Sequence, residues 1–153
     1  MDMHEIVDRV SAWEGVLAFR PGPGDGSPEL SWGDVFFYVA PDGIVPSGQP
    51  FATIVTKDYP GEPSSGLDGA DAYRVNIAAG DHRQPTGPSP STAPDPSSRD
   101  LLMPHPVYGD LGWLAVVNPG ERTGERVMAL LEAAHAAAWG RWQRRHRTER
   151  PSR

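Results

Sequence analysis

The chain has 153 residues, a net charge of −6 and no cysteine. Glycine and proline number 17 each, well above ordinary usage, which marks a chain rich in loops. Without cysteine there is no disulfide framework, thiolate nucleophile or cysteine-bound zinc, and no apolar run approaches the roughly 20 residues of a membrane span.

The acidic start Met1-Asp2-Met3-His4-Glu5 is unlike a signal peptide, so the expectation is a soluble, cytoplasmic chain without membrane association. Asp2 followed by Glu5 reads as a capping box. Met3, Ile6, Val7, Val10 and Trp13 then recur at helical spacing, and Gly15 closes the helix. Strands are predicted at 16–19, 35–39, 51–57, 73–77 and 113–117, the second ending at the turn signal Pro41-Asp42-Gly43. The run at 73–77 alternates: Tyr73, Val75 and Ile77 point one way, Arg74 and Asn76 the other. One sheet face is therefore buried and the other at least partly polar. A long helix follows from about Thr123 as N-cap, with Val127, Leu130, Leu131, Ala134 and Ala138 as its stripe. Gly140 weakens it by about 1 kcal/mol relative to alanine, and the arginine-rich end is expected to fray. The order gives an α+β fold, an antiparallel sheet of about five strands packed on an N-terminal and a C-terminal helix.

Two segments stand apart from this domain, which spans residues 1–140. Residues 81–100 carry Pro85, Pro88, Pro90, Pro94 and Pro96 with Ala93 as the one apolar side chain, a composition that reads as a disordered insert. Residues 141–153 hold Arg141, Arg144, Arg145, Arg147, Arg150 and Arg153 against Glu149, a basic and flexible tail on an acidic body.

Catalytic signatures are missing. His4, His82, His105, His135 and His146 include no pair at metal-ligand spacing, and no Gly-x-Ser-x-Gly elbow occurs, so neither metal nor cofactor is expected. The run Gly22-Pro23-Gly24-Asp25-Gly26-Ser27 lacks the Lys-Ser/Thr and following helix of a phosphate loop and reads as a turn. Asp25, Glu29 and Asp34, and again Asp58 and Glu62, read as solvated surface acids. His135 falls in register with the apolar stripe, as a packed or half-exposed histidine.

The informative run is His105-Pro106-Val107-Tyr108-Gly109-Asp110-Leu111-Gly112-Trp113, in which imidazole, phenol and indole gather just before the last strand. Such groups stack on a planar ligand and donate hydrogen bonds. They also serve to cover a sheet end. Arg74 and Asn76 are their natural partners on the polar face, because arginine grips a carboxylate or phosphate. Arg141, Arg144, Arg145 and Arg147, with tryptophans nearby, form an alternative site for nucleic acid. A third possibility pairs His105 with Asp110 or Asp58 in a small hydrolase or transferase.

The runs at 20–29, 32–38, 50–60 and 105–109, with Gly112-Trp113-Leu114-Ala115-Val116-Val117-Asn118-Pro119 and Arg74-Val75-Asn76-Ile77, resemble a family of small proteins of unknown function from high-GC actinobacteria. More distantly the pattern is similar to the MmcQ/YjbR-like group, with Arg74, Asn76 and Trp113 at matching positions. That resemblance implies a CyaY-like fold and DNA binding through a double-wing surface. The chain departs from the group after Gly80, where relatives continue into a helix and this sequence runs into proline.

The expected function is a non-enzymatic domain, monomeric or weakly dimeric, that binds a small molecule or a partner protein through Arg74, Asn76, His105, Tyr108 and Trp113. Nucleic-acid binding of the YjbR type is the first alternative and the small hydrolase or transferase the second.

Overall fold

The computed structural model describes residues 1–68, 72–80 and 95–147 of the chain. The elements are helix α1 (Met3–Ser11), strands β1 (Val16–Phe19), β2 (Val35–Val39), β3 (Ala52–Val55), β4 (Arg74–Ala78), β5 (Met103–Pro104) and β6 (Trp113–Val117), and helix α2 (Gly124–Arg147). Short 3-10 turns occupy Glu29–Ser31 and Gly109–Leu111. The architecture is α+β: one antiparallel sheet in the order β1-β2-β3-β4-β6-β5, with a short N-terminal helix and a long C-terminal one.

Alternation along each strand sorts the sheet into two faces. Val35, Phe37 and Val39 of β2, Ala52 and Ile54 of β3, Val75 and Ile77 of β4, and Leu114 and Val116 of β6 share one core with Ile6, Val7 and Val10 of α1. Val127, Met128, Leu130, Leu131 and Ala134 of α2 complete it. Asp2 caps α1 as its sequence predicts, its carboxylate accepting the Glu5 amide at 2.9 Å. The helix ends at Ser11, four residues before Gly15, so Trp13 lies beyond it and packs its ring on His135 at 5.5 Å. His135 is half-buried, and its Nε2 lies 2.8 Å from the Glu14 carbonyl.

Three features differ from the sequence reading. First, the sheet has a sixth strand, β5, a two-residue edge piece containing Pro104 that no periodicity could announce. Second, α2 runs through Gly140 to Arg147, so residues 141–147 continue the helix instead of leaving it. The reason is packing: Trp139 and Trp142 lie partly buried against the core and hold the last turns that propensity alone would release. Third, the start of α2 is capped from a distance. The Thr123 hydroxyl donates to Asp100 Oδ1 at 2.6 Å, and the amides of Gly120, Arg122 and Thr123 donate to the same carboxylate at 2.8, 2.9 and 2.9 Å. Asp100 belongs to the proline-rich segment by composition, yet its amide donates to the Val117 carbonyl at 2.7 Å and Arg99 bridges Val117. Residues 81–94 and 148–153 of the two unusual segments lie outside the described residues.

Among the described residues no helix is long and apolar enough to cross a membrane.

Candidate functional site

The sheet face turned away from the helices carries Phe36 and Tyr38 of β2, Thr53 and Val55 of β3, Arg74 and Asn76 of β4, and Trp113 of β6, each alternating with a core residue. The segment after β3 folds over part of this face. Leu67 and Ala72 bury against Val55 and Val117, with Tyr59 packed alongside. What remains uncovered is a cavity of about 620 Å³. Arg74, Asn76, His105, Tyr108 and Trp113, the residues singled out in the sequence, all line it.

Arg74 and Asn76 are not on an open polar face, as strand alternation alone would place them. They are only 5% and 3% exposed, because the covering segment supplies partners as well as bulk. Arg74 Nε donates to Asn76 Oδ1 at 2.8 Å, and Nη1 donates to Ser65 Oγ at 2.8 Å. Nη2 lies 3.8 Å from the Glu62 carboxylate and 3.3 Å from His105 Nε2. Asn76 in turn donates to Thr53 Oγ1 at 3.0 Å across a directly paired position of β3 and β4. Burial lowers the Arg74 pKa while Glu62, Asp58 and Asp34 oppose the shift, and a guanidinium stays charged.

His105 follows β5 and is 6% exposed. Its Nδ1 accepts the amides of Val107 and Tyr108 at 3.0 and 3.1 Å, which turns the chain sharply and places the Tyr108 ring 5.0 Å from the imidazole. Burial, and then the Arg74 charge, lower its pKa to about 4, so the ring is neutral at physiological pH. Gly112 locks this loop to the end of β4. Its carbonyl accepts the amides of Ala79 and Gly80 at 3.0 and 3.1 Å. With φ at +92° and Gly80 Cα 3.1 Å from where a Cβ would stand, the position admits glycine alone without movement. The loop thus arrives beside β4 at a fixed height, and Trp113 and Tyr108 wall the cavity opposite Phe36 and Tyr38.

The sequence reading missed Phe36, Tyr38, Thr53, Tyr59, Glu62 and Ser65. For Phe36, Tyr38 and Thr53 the signal was available, since strict alternation puts them on the face of Arg74. Ser65 and Glu62 reach the site only through the fold of the covering segment, and nothing local marks them.

Two expected surface acids are structural. Asp34 is fully buried and accepts from the Thr56 amide at 2.9 Å, the Thr56 hydroxyl at 3.0 Å, Lys57 Nζ at 3.2 Å and the Tyr59 hydroxyl. Burial and the Asp34 carboxylate push the Tyr59 phenol far above its usual range. Asp58 accepts from the Ser65 and Leu67 amides and from the Ser64 hydroxyl, which closes the covering segment on itself. It is not a partner of His105. Asp110 is exposed in the Gly109–Leu111 turn.

The arginines of the alternative site lie elsewhere. Arg141, Arg144 and Arg145 are exposed on the last turns of α2. Beside them Trp139 stacks on Trp142 at 5.2 Å and Trp142 on His146 at 3.9 Å, an aromatic ladder. Arg141, Trp142, Arg145 and His146 border a second cavity of about 630 Å³ with Ile44 and Val45. Arg147 ends the helix. Among the described residues no group of three or more His, Cys, Asp or Glu side chains is placed to hold a metal ion.

No curated protein and no solved structure matches the chain. The family model of DUF6194, described as a family of unknown function, matches residues 1–147, and the chain belongs to that family.

Proposed function

We propose that the chain is a cytoplasmic, non-enzymatic binding domain whose ligand is a small planar molecule held in the cavity on the sheet face turned away from the helices. The observation that carries this reading is the meeting of a buried, charged Arg74 with five aromatic side chains, Phe36, Tyr38, Tyr59, Tyr108 and Trp113, around one concave space of ligand size. Aromatic walls favour a flat body, and the polar end fixes its orientation. Absence of catalysis is supported by the state of His105: Nδ1 is committed to two backbone amides, and a pKa near 4 makes the ring a weak base. A thermal-shift screen of metabolites against the wild-type chain, His105→Ala and Arg74→Ala tests it. Hits on the wild type should vanish in both variants. Hits that persist unchanged in both would place the ligand elsewhere.

The second reading, nucleic-acid binding, is favoured by the aromatic ladder on α2 flanked by Arg141, Arg144 and Arg145. It draws further on the sequence resemblance to the MmcQ/YjbR-like group. Binding of this kind weakens steeply with salt and is lost in the triple variant with glutamine at 141, 144 and 145. A flat gel-shift titration at low salt removes it.

A further inference from the structure

The tautomer of His105 identifies what the cavity holds. A neutral imidazole has one N–H and one acceptor nitrogen. Two backbone amides, from Val107 and Tyr108, converge on Nδ1, so Nδ1 is the acceptor and the proton sits on Nε2. Nε2 faces Arg74 Nη2 at 3.3 Å, and a guanidinium nitrogen can only donate. Two donors therefore stand side by side at the cavity wall, on side chains that are each more than nine-tenths buried. Arg74 already gives Nε to Asn76 and Nη1 to Ser65. Among the described residues the acceptor beside Nη2 is the Glu62 carboxylate, at 3.8 Å, beyond hydrogen-bond length.

Resting on the reading of this cavity as a ligand site, we propose that its ligand is a planar aromatic monocarboxylate. Its carboxylate bridges Arg74 Nη2 and His105 Nε2–H, and it takes the place that Glu62 holds loosely. An acceptor between the two donors converts a donor–donor contact into two charge-assisted or polar hydrogen bonds. The charges around Arg74 select a ligand with a single negative charge. Arg74 is one cation among the carboxylates of Glu62, Asp58 and Asp34, and a dianion such as phosphate would bring a second charge with no partner into a half-enclosed site. A monocarboxylate exchanges one for one with that of Glu62, whose side chain is a quarter exposed to solvent. Phe36, Tyr38, Tyr108 and Trp113 then enclose the ring of the same molecule. Glu62 is in this sense an internal competitor, which sets a ceiling on affinity.

The test is calorimetric titration of the full chain with benzoate, 2-naphthoate and indole-3-acetate, each paired with its uncharged primary amide. The acids should bind about tenfold more tightly than their amides, the gap expected of a charge-assisted contact. Glu62→Gln should tighten the acids by about fivefold and leave the amides unchanged, because it removes a competing charge near the protein surface. His105→Asn, whose Oδ1 still serves the two amides but which has no Nε2–H, should weaken the acids selectively. Equal binding of acids and amides, or Glu62→Gln that weakens the acids, overturns the carboxylate assignment while the cavity remains a ligand site. Failure of every acid and every amide to bind overturns both readings.

Discussion

His105 combines the duties of a turn-former and a wall residue, and its protonation state is fixed by both. Its pKa is about 4 in the folded chain against an ordinary 6.5. Between those values the unfolded chain takes up a proton that the folded chain refuses, so stability falls as pH drops from 6.5 towards 4. Below about 4 both forms are protonated and this contribution is flat; above 6.5 neither is. The loss across the window is at most ~3.5 kcal/mol, from about 1.4 kcal/mol per pH unit. The groups facing the ring give the same sign, since a second cation would stand beside Arg74, whose charge already draws on the carboxylates of Glu62, Asp58 and Asp34. Denaturation midpoints measured at neutral pH and near pH 4.5 should converge between wild type and His105→Asn on acidification, as wild type loses what the variant no longer has. A constant gap at both pH values would show that the ring does not titrate in this window.

At the scale of elements, Asp100 does the most from the least expected place. It sits at φ +53° and gathers one hydroxyl and three amides at the entrance of α2, 23 residues of chain before the Thr123 that it caps. Burial raises its pKa, but the bonds from Thr123, Arg122 and Gly120 outweigh this and hold the carboxyl near 2. Asp100→Ala should cost about 2 kcal/mol, the upper range for a helix cap, and Asp100→Asn less, because an amide oxygen still accepts. Urea denaturation followed by helical circular dichroism checks both, and an unchanged midpoint in Asp100→Ala would refute the cap. The contrast with α1 shows what local sequence can carry. Asp2 and Glu5 are three residues apart, so their cap is legible, whereas Asp100 and Thr123 meet only through the tertiary fold. Strands β2 and β6 are legible because their apolar runs are long, and β5 is not because two residues, one of them proline, have no period. Gly140 misleads for the same reason: its cost is local, and the packing of Trp139 and Trp142 that overrides it is not.

Over the whole molecule, the two faces of the sheet divide the work. Val75 is fully buried among the helices, so Val75→Ala should lower stability by about 2–3 kcal/mol, a transfer loss plus a cavity. Tyr38, half-buried on the opposite face, should tolerate Tyr38→Ala at a cost of under about 1.5 kcal/mol, while its loss abolishes the thermal shift from any cavity ligand. Paired melting curves with and without ligand separate the two effects, and equal losses of stability would contradict the division. The site itself was legible in part. His105, Tyr108 and Trp113 stand out because they crowd one loop, and Arg74 and Asn76 because they interrupt an apolar strand, but the competitor Glu62 shows itself only in space. The strand order has a kinetic consequence. Strands β1 to β4 pair with successive neighbours, whereas β6 enters between β4 and an edge strand that precedes it in the chain. Closing the β4–β6 pairing spans the longest stretch of chain between paired strands and so carries the largest loop-closure cost. The cavity draws Arg74 from β4 and Trp113 from β6, so it exists only when this step is complete. A bound ligand should therefore slow unfolding and leave the refolding rate untouched, a signature that stopped-flow fluorescence reads directly. Occupancy would then act as a clasp on a finished molecule and never as a template for an unfinished one.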